Sequence, residues 1–123
     1  MNTYGKTTWL IPDCYLESAS TGDKQSHEAV CVVNTSPTDA NIRLTLFFED
    51  READSSYSVV CASMRTCHIR LDRLRSEDGR EIPRGIPYAL LVESNTPIVV
   101  QYSRLDTSQA ELALMTTMAY AVE

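Results

Sequence analysis

The most regular hydrophobic pattern in the chain lies between Asn41 and Asp50, where Ile42, Leu44, Leu46 and Phe48 alternate with Arg43, Thr45, Phe47 and Glu49. Alternation at period two puts one set on each face of a β-strand. The same signal recurs over Arg65 to Leu71, with Cys67, Ile69 and Leu71 opposite Thr66, His68 and Arg70. Thr7 to Ile11 is β-branched and aromatic and reads as a short strand stopped by Pro12. His27 to Asn34 is apolar on both faces at its centre, as a strand in the middle of a sandwich would be. Tyr57 to Cys61, Tyr88 to Glu93 and Ile98 to Arg104 are further strands, the last two joined as a hairpin through the turn signal Asn95-Thr96-Pro97.

The end of the chain carries two competing patterns. Ser108 and Glu111 have capping-box spacing, and Ala110, Leu114 and Met118 recur at helical intervals. Thr116, Thr117 and Tyr120, in an otherwise all-β chain, argue for extended structure. The expectation is a short helical turn from Thr107 to about Ala113, then a last strand from Leu114 to Ala121. Between strands, Ser18 to Ser26 is a polar loop, and Asp72 to Pro87 is long, charged and punctuated by Gly79, Pro83, Gly85 and Pro87. Eight short strands separated by turn signals predict an all-β fold, an antiparallel, jelly-roll-like β-sandwich with at most one short helical turn. Residues 1–123 form a single domain in this reading.

Composition narrows the function classes. Hydrophobic residues make up 43% of the 123, with four Gly and five Pro, which excludes a disordered or fibrous chain. No apolar run approaches the ~20 residues of a membrane helix, and Met1 to Leu10 lacks the organisation of a signal peptide, so a soluble cytoplasmic protein is expected. A net charge of −6 repels a phosphate backbone, so nucleic acid is not an expected partner and a basic surface is. Cys14, Cys31, Cys61 and Cys67 match no zinc or redox spacing and read as buried reduced thiols.

An enzyme needs assembled chemistry, and little is visible. The two histidines, His27 and His68, form no metal-ligand motif, and Cys67 and His68 are strand neighbours that point to opposite faces. Phosphate loops and nucleophile elbows are absent from the sequence. The expectation is therefore no catalysis, no metal and no cofactor. What remains is polar residues at strand ends: His27, Glu28, His68, Arg70, Arg104, Asp106, Gln109 and Glu111 are the candidate partner- or ligand-binding residues. Arg104 and Asp106 share a face of an extended segment, where each can pair across the sheet or across a subunit boundary. They read either as a pinned corner or as a binding site. Phe47, an aromatic on a polar face, is the candidate oligomer contact.

Three blocks carry a resemblance: Ser26 to Asn34 (SHEAVCVVN), Arg65 to Arg70 (RTCHIR) and Asn95 to Tyr120 (NTPIVVQYSRLDTSQAELALMTTMAY). They are similar to the small soluble transducers of cyanobacterial sensory rhodopsin and their bacterial homologues, in order and over nearly the whole chain. The resemblance implies a cytoplasmic β-sandwich assembled as a four-fold homotetramer, without cofactor or catalysis, that binds the cytoplasmic face of a membrane photoreceptor. It also implies likeness to carbohydrate-binding sandwiches, so a sugar-like small ligand is the alternative. Cys67 stands where a basic residue is expected in the rhodopsin-associated member, and the loops Glu17 to Ser26 and Asp72 to Pro87 match poorly.

Overall fold

The computed structural model describes residues 2–22, 24–109 and 111–123. Eight strands follow in order: β1 (Lys6–Tyr15), β2 (His27–Asn34), β3 (Ala40–Phe48), β4 (Asp54–Cys61), β5 (Arg65–Arg70), β6 (Pro87–Asp106), β7 (Ala113–Met118) and β8 (Tyr120–Ala121). All pairings between them are antiparallel. One sheet runs β4-β3-β6-β1-β8 and the other β5-β2-β6-β7, so β6 belongs to both. The chain is an antiparallel β-sandwich, and no described residue is helical.

Strand β6 organises the sandwich. Its first half, Tyr88 to Ser94, pairs with β1 and β3, and its second half, Val99 to Asp106, pairs with β2 and β7. The hairpin expected at Asn95 is therefore absent: the halves are members of opposite sheets that face each other across the core. The reason lies in the side-chain pattern. Tyr88, Leu90, Val92, Thr96, Ile98, Val100 and Tyr102 are all buried, so one face of the strand stays inward on both sides of the corner. A bent strand wrapped around the core buries that face throughout, whereas a hairpin would set the halves edge to edge.

The corner itself is clamped. Asn95 Oδ1 accepts from the Asn41 amide at 2.7 Å, and the Trp9 indole donates to the Ile98 carbonyl at 3.1 Å. Gly5 packs so tightly beneath Ile98 that a Cβ there would lie 1.9 Å from the Ile98 carbonyl oxygen. With φ at +106°, it also has a backbone conformation that other residues rarely adopt.

Further expectations change. β1 does not stop at Pro12 but runs on to Tyr15, because the ladder with β6 shifts register between Ile11 and Cys14 and the missing proline N–H falls in that irregularity. At the other end, residues 107–109 and 111–112 are non-helical, and Ala110 lies outside the described residues. Asp106 Oδ1 accepts from the Ser108 amide at 2.8 Å, a side-chain turn that competes with helix initiation. The last strand is also split: β7 continues the second sheet, Ala119 is buried, and β8 crosses to pair with Trp9 and Leu10 of β1. The Asp72 to Pro87 loop is tied down rather than loose, since Ile82 is buried and Arg84 donates to the Glu17 and Ser26 carbonyls at 2.7 and 3.1 Å.

Candidate functional site

Glu28 enters the core for a reason of period: it shares the inward face of β2 with Val30 and Val32. A carboxylate at such a position needs partners, and β1 and both halves of β6 supply them. Tyr88, from the first half of β6, donates its hydroxyl to Oε1 at 2.5 Å, and the Tyr15 amide of β1 donates to Oε2 at 2.7 Å. Arg104, directly opposite Glu28 in the β2–β6 ladder, brings Nε to 3.6 Å from Oε2. The same guanidinium donates to the Tyr102 hydroxyl at 3.1 Å and to the Asp13 carbonyl at 3.3 Å, and sits 5.7 Å from the Tyr102 ring centre.

Burial dominates the electrostatics of this cluster. It raises the Glu28 carboxyl above its ordinary pKa despite the opposing bonds from Tyr88 and Tyr15 and the charge of Arg104. Burial, and then the Glu28 charge, push the Cys14 thiol and the Tyr88 phenol far up, so both stay protonated at neutral pH. A protonated thiol is a poor nucleophile, and Tyr88 serves as a hydrogen-bond donor. What the arrangement does is join the two sheets at one end of the sandwich through a single carboxylate.

The other sequence candidates separate into distinct places. Arg70 makes a two-pronged contact to Asp72 at 2.8 and 2.9 Å, and the carboxylate of Asp72 is 4% exposed. Burial, which would raise Asp72, is outweighed by the bonds and charge of Arg70, and the charge of nearby His27 adds to the lowering. His27 Nδ1 lies 3.0 Å from the Gln25 carbonyl. His68 is exposed on the outer face of the second sheet, opposite Cys31. Asp106 turns to Ser108 instead of pairing across the sheet, and Gln109 and Glu111 are exposed in the following loop. Thus Glu28 and Arg104 meet, Arg70 grips Asp72 with His27 near enough to act on it through charge, and the remaining four stand apart. Sequence reasoning missed Tyr15, Tyr88, Tyr102 and Asp72; the available signal was Glu28 itself, an acid on the apolar face of a strand.

A different surface is more conspicuous. On the outer face of the first sheet, Thr45, Leu91, Leu10 and Tyr120 lie in one row, each opposite the next across β3, β6, β1 and β8. Phe47 and Ala89 form the adjacent pair. Around the open edge, β7 exposes every residue, including Leu114, Met115 and Met118, and pairs only with β6. Leu10, Pro12, Met115, Met118 and Tyr120 line a groove of about 510 Å³ between the two sheets there. An apolar row that continues over an unpaired strand edge is the form of a protein-binding surface.

Comparison with known proteins decides the family. The family model described as Anabaena sensory rhodopsin transducer matches residues 4–121. This chain belongs to the sensory rhodopsin transducer family. Among solved structures, a Thermotoga maritima protein is 38% identical with a TM-score of 0.87, over 100% of this chain and 98% of its own. The Anabaena sensory rhodopsin transducer is 33% identical with a TM-score of 0.74, over 83% of this chain and 97% of its own. No curated protein matches the sequence. Among the described residues, no helix is long and apolar enough to cross a membrane, and no group of three or more His, Cys, Asp or Glu is placed to hold a metal ion.

Proposed function

We propose that this transducer-family chain is a cytoplasmic, non-catalytic signalling adaptor that binds the cytoplasmic face of a membrane photoreceptor as a homotetramer. The observation that carries the reading is the apolar row of half-buried Leu10 and Leu91 and exposed Tyr120, with exposed Met115 and Met118 beside it. Such area is costly to leave in water on a small domain and is covered when subunits or a partner dock. Phe47, 42% exposed next to this row, is the proposed subunit contact. Cytoplasmic loops of membrane proteins carry excess Lys and Arg, and a net charge of −6 per chain steers an assembly toward them. Light scattering tests the assembly, and titration against a sensory rhodopsin in detergent at rising salt tests the partner.

A second reading, binding of a sugar-like ligand, is favoured by one feature. Phe47, Pro12 and Pro87 line a hollow of about 330 Å³ together with Asp13 and Glu49, a pairing of flat apolar surface with carboxylate acceptors. A glycan screen by thermal shift distinguishes it, since only this reading predicts stabilisation that disappears in Phe47→Ala.

A further inference from the structure

We propose that Cys31, His68 and Met118 form a binding site for a soft monovalent metal ion of the copper(I) type on the outer face of the second sheet. The register of three ladders lines the donors up. Cys31 of β2 is opposite His68 of β5 on one side and Gln101 of β6 on the other, and Gln101 is in turn opposite Met118 of β7. Residues directly opposite in a ladder share a face, with Cβ atoms about 4.5–5.5 Å apart. One row across four strands therefore carries an imidazole, a thiol, an amide and a thioether. Cys31, His68 and Met118 line the same hollow, of about 160 Å³, together with Val33 and Val99.

The donors are open to solvent and free to turn toward an ion. Cys31 is half-buried and His68 exposed, and Met118 is 56% exposed. Elsewhere the same residue types are committed: the Cys14 and Cys61 thiols donate to the Ile11 and Arg65 carbonyls, and His27 Nδ1 lies against the Gln25 carbonyl. Among the described residues the Cys31 thiol and the His68 ring make no such bond. Gln101 Nε2 donates to the Thr116 hydroxyl at 2.7 Å, which ties that amide to β7, and the unbranched Met118 side chain can lean over it. Cys67, the neighbour of His68, packs against the core on the other face of β5 and takes no part.

The donor set decides the ion. Thiolate and thioether sulfur select copper(I), and imidazole also suits copper. Two sulfurs and one nitrogen fall short of the four ligands that a structural zinc ion takes. On binding, the Cys31 thiol gives its proton to water, and the thiolate and a neutral His68 hold the ion, so the loaded site carries no net charge. One proton is released per ion and no electron moves, and affinity therefore rises with pH. Val33 and Val99, opposite each other in the β2–β6 ladder, give the ion an apolar flank that limits access of water.

Anaerobic titration of the reduced full chain with copper(I) bicinchoninate tests the site. The native chain is expected to take one ion per chain from the chelate, read as loss of its colour. Cys31→Ser should abolish the uptake, His68→Ala should weaken it about 100-fold and Met118→Leu about tenfold. Cys67→Ser should bind as the native chain does. X-ray absorption of the loaded native chain, which needs no variant, should show nitrogen and sulfur bound to copper. The proposal is overturned if the native chain takes no copper, if uptake survives Cys31→Ser or is lost in Cys67→Ser, or if copper is bound by sulfur alone. Affinity unchanged in a folded Met118→Leu would overturn the three-donor site.

Discussion

Tyr88 and Arg104 sit near the two ends of one strand, yet they approach the two oxygens of the same carboxylate, Glu28. That meeting is possible only because β6 turns a corner and brings its halves into opposite sheets. It also makes Glu28 the polar hinge on which both halves depend. Glu28→Ala leaves a half-buried guanidinium and a buried phenol without their partner and is expected to cost about 3–5 kcal/mol, as for breaking a buried pair. Tyr88→Phe removes one donor to a buried carboxylate and should cost about 1–3 kcal/mol. Urea denaturation midpoints at pH 7 check both values.

The pH dependence of Glu28 runs opposite to that of Asp54 and Asp72. Its folded pKa is raised, chiefly by burial, so its contribution to stability is full below the unfolded carboxyl value of about 4.3 and declines as pH rises through the folded pKa. Asp54 and Asp72 are lowered: burial raises them, but bonds from Ser56 and Arg80 to the first, and from Arg70 to the second, outweigh it. Their contributions are present above about pH 4 and are lost as pH falls through their folded values. Glu28→Gln removes only the first component. Its stability relative to the native chain should therefore improve steadily as pH rises from about 4, in a pH series of urea titrations. A difference that stays flat across that range contradicts the assignment.

Gly5 and Gly79 both have positive φ, but their surroundings differ. A Cβ at Gly79 meets nothing within 4 Å, whereas one at Gly5 meets backbone of the β6 corner. Gly79→Ala should cost about 1 kcal/mol from backbone strain, and Gly5→Ala at least twice that, because the corner must move. Thermal unfolding of the two variants measures the contrast.

Much of the architecture was legible in the residues. Ile42, Leu44 and Leu46 are inward and Arg43 and Phe47 outward, as period two dictates. The centre of β2 is flanked on both sides, as its apolar run implied. The corner of β6 was not legible as such, because Asn95-Thr96-Pro97 signals a turn whether the chain reverses within a sheet or between sheets. In the tail, Ser108 and Glu111 mimic a capping box, but Asp106 takes the Ser108 amide instead. The candidate polar cluster was half legible. Glu28 and Arg104 do meet, across the β2–β6 ladder, but their companions Tyr15 and Tyr88 are brought by the long-range pairing of β1 and β6, which spacing along the chain does not encode.

The apolar row predicts association that can be broken without unfolding. Light scattering at micromolar concentration should report a mass well above 13.8 kDa, consistent with four copies. Phe47→Asp and Met118→Asp, both at exposed positions, should shift the species toward monomer while leaving the denaturation midpoint of the subunit nearly unchanged. A monomeric native chain would rule out the homotetramer.

An adaptor for a membrane photoreceptor must bind it in solution, and calorimetric titration against a detergent-solubilised sensory rhodopsin measures that binding. Saturable binding is expected at low ionic strength, weakening as salt rises, because opposite charge steers the encounter, and weakening again in Tyr120→Asp. No heat of binding at low salt, from a chain that is folded and assembled by light scattering, would contradict it.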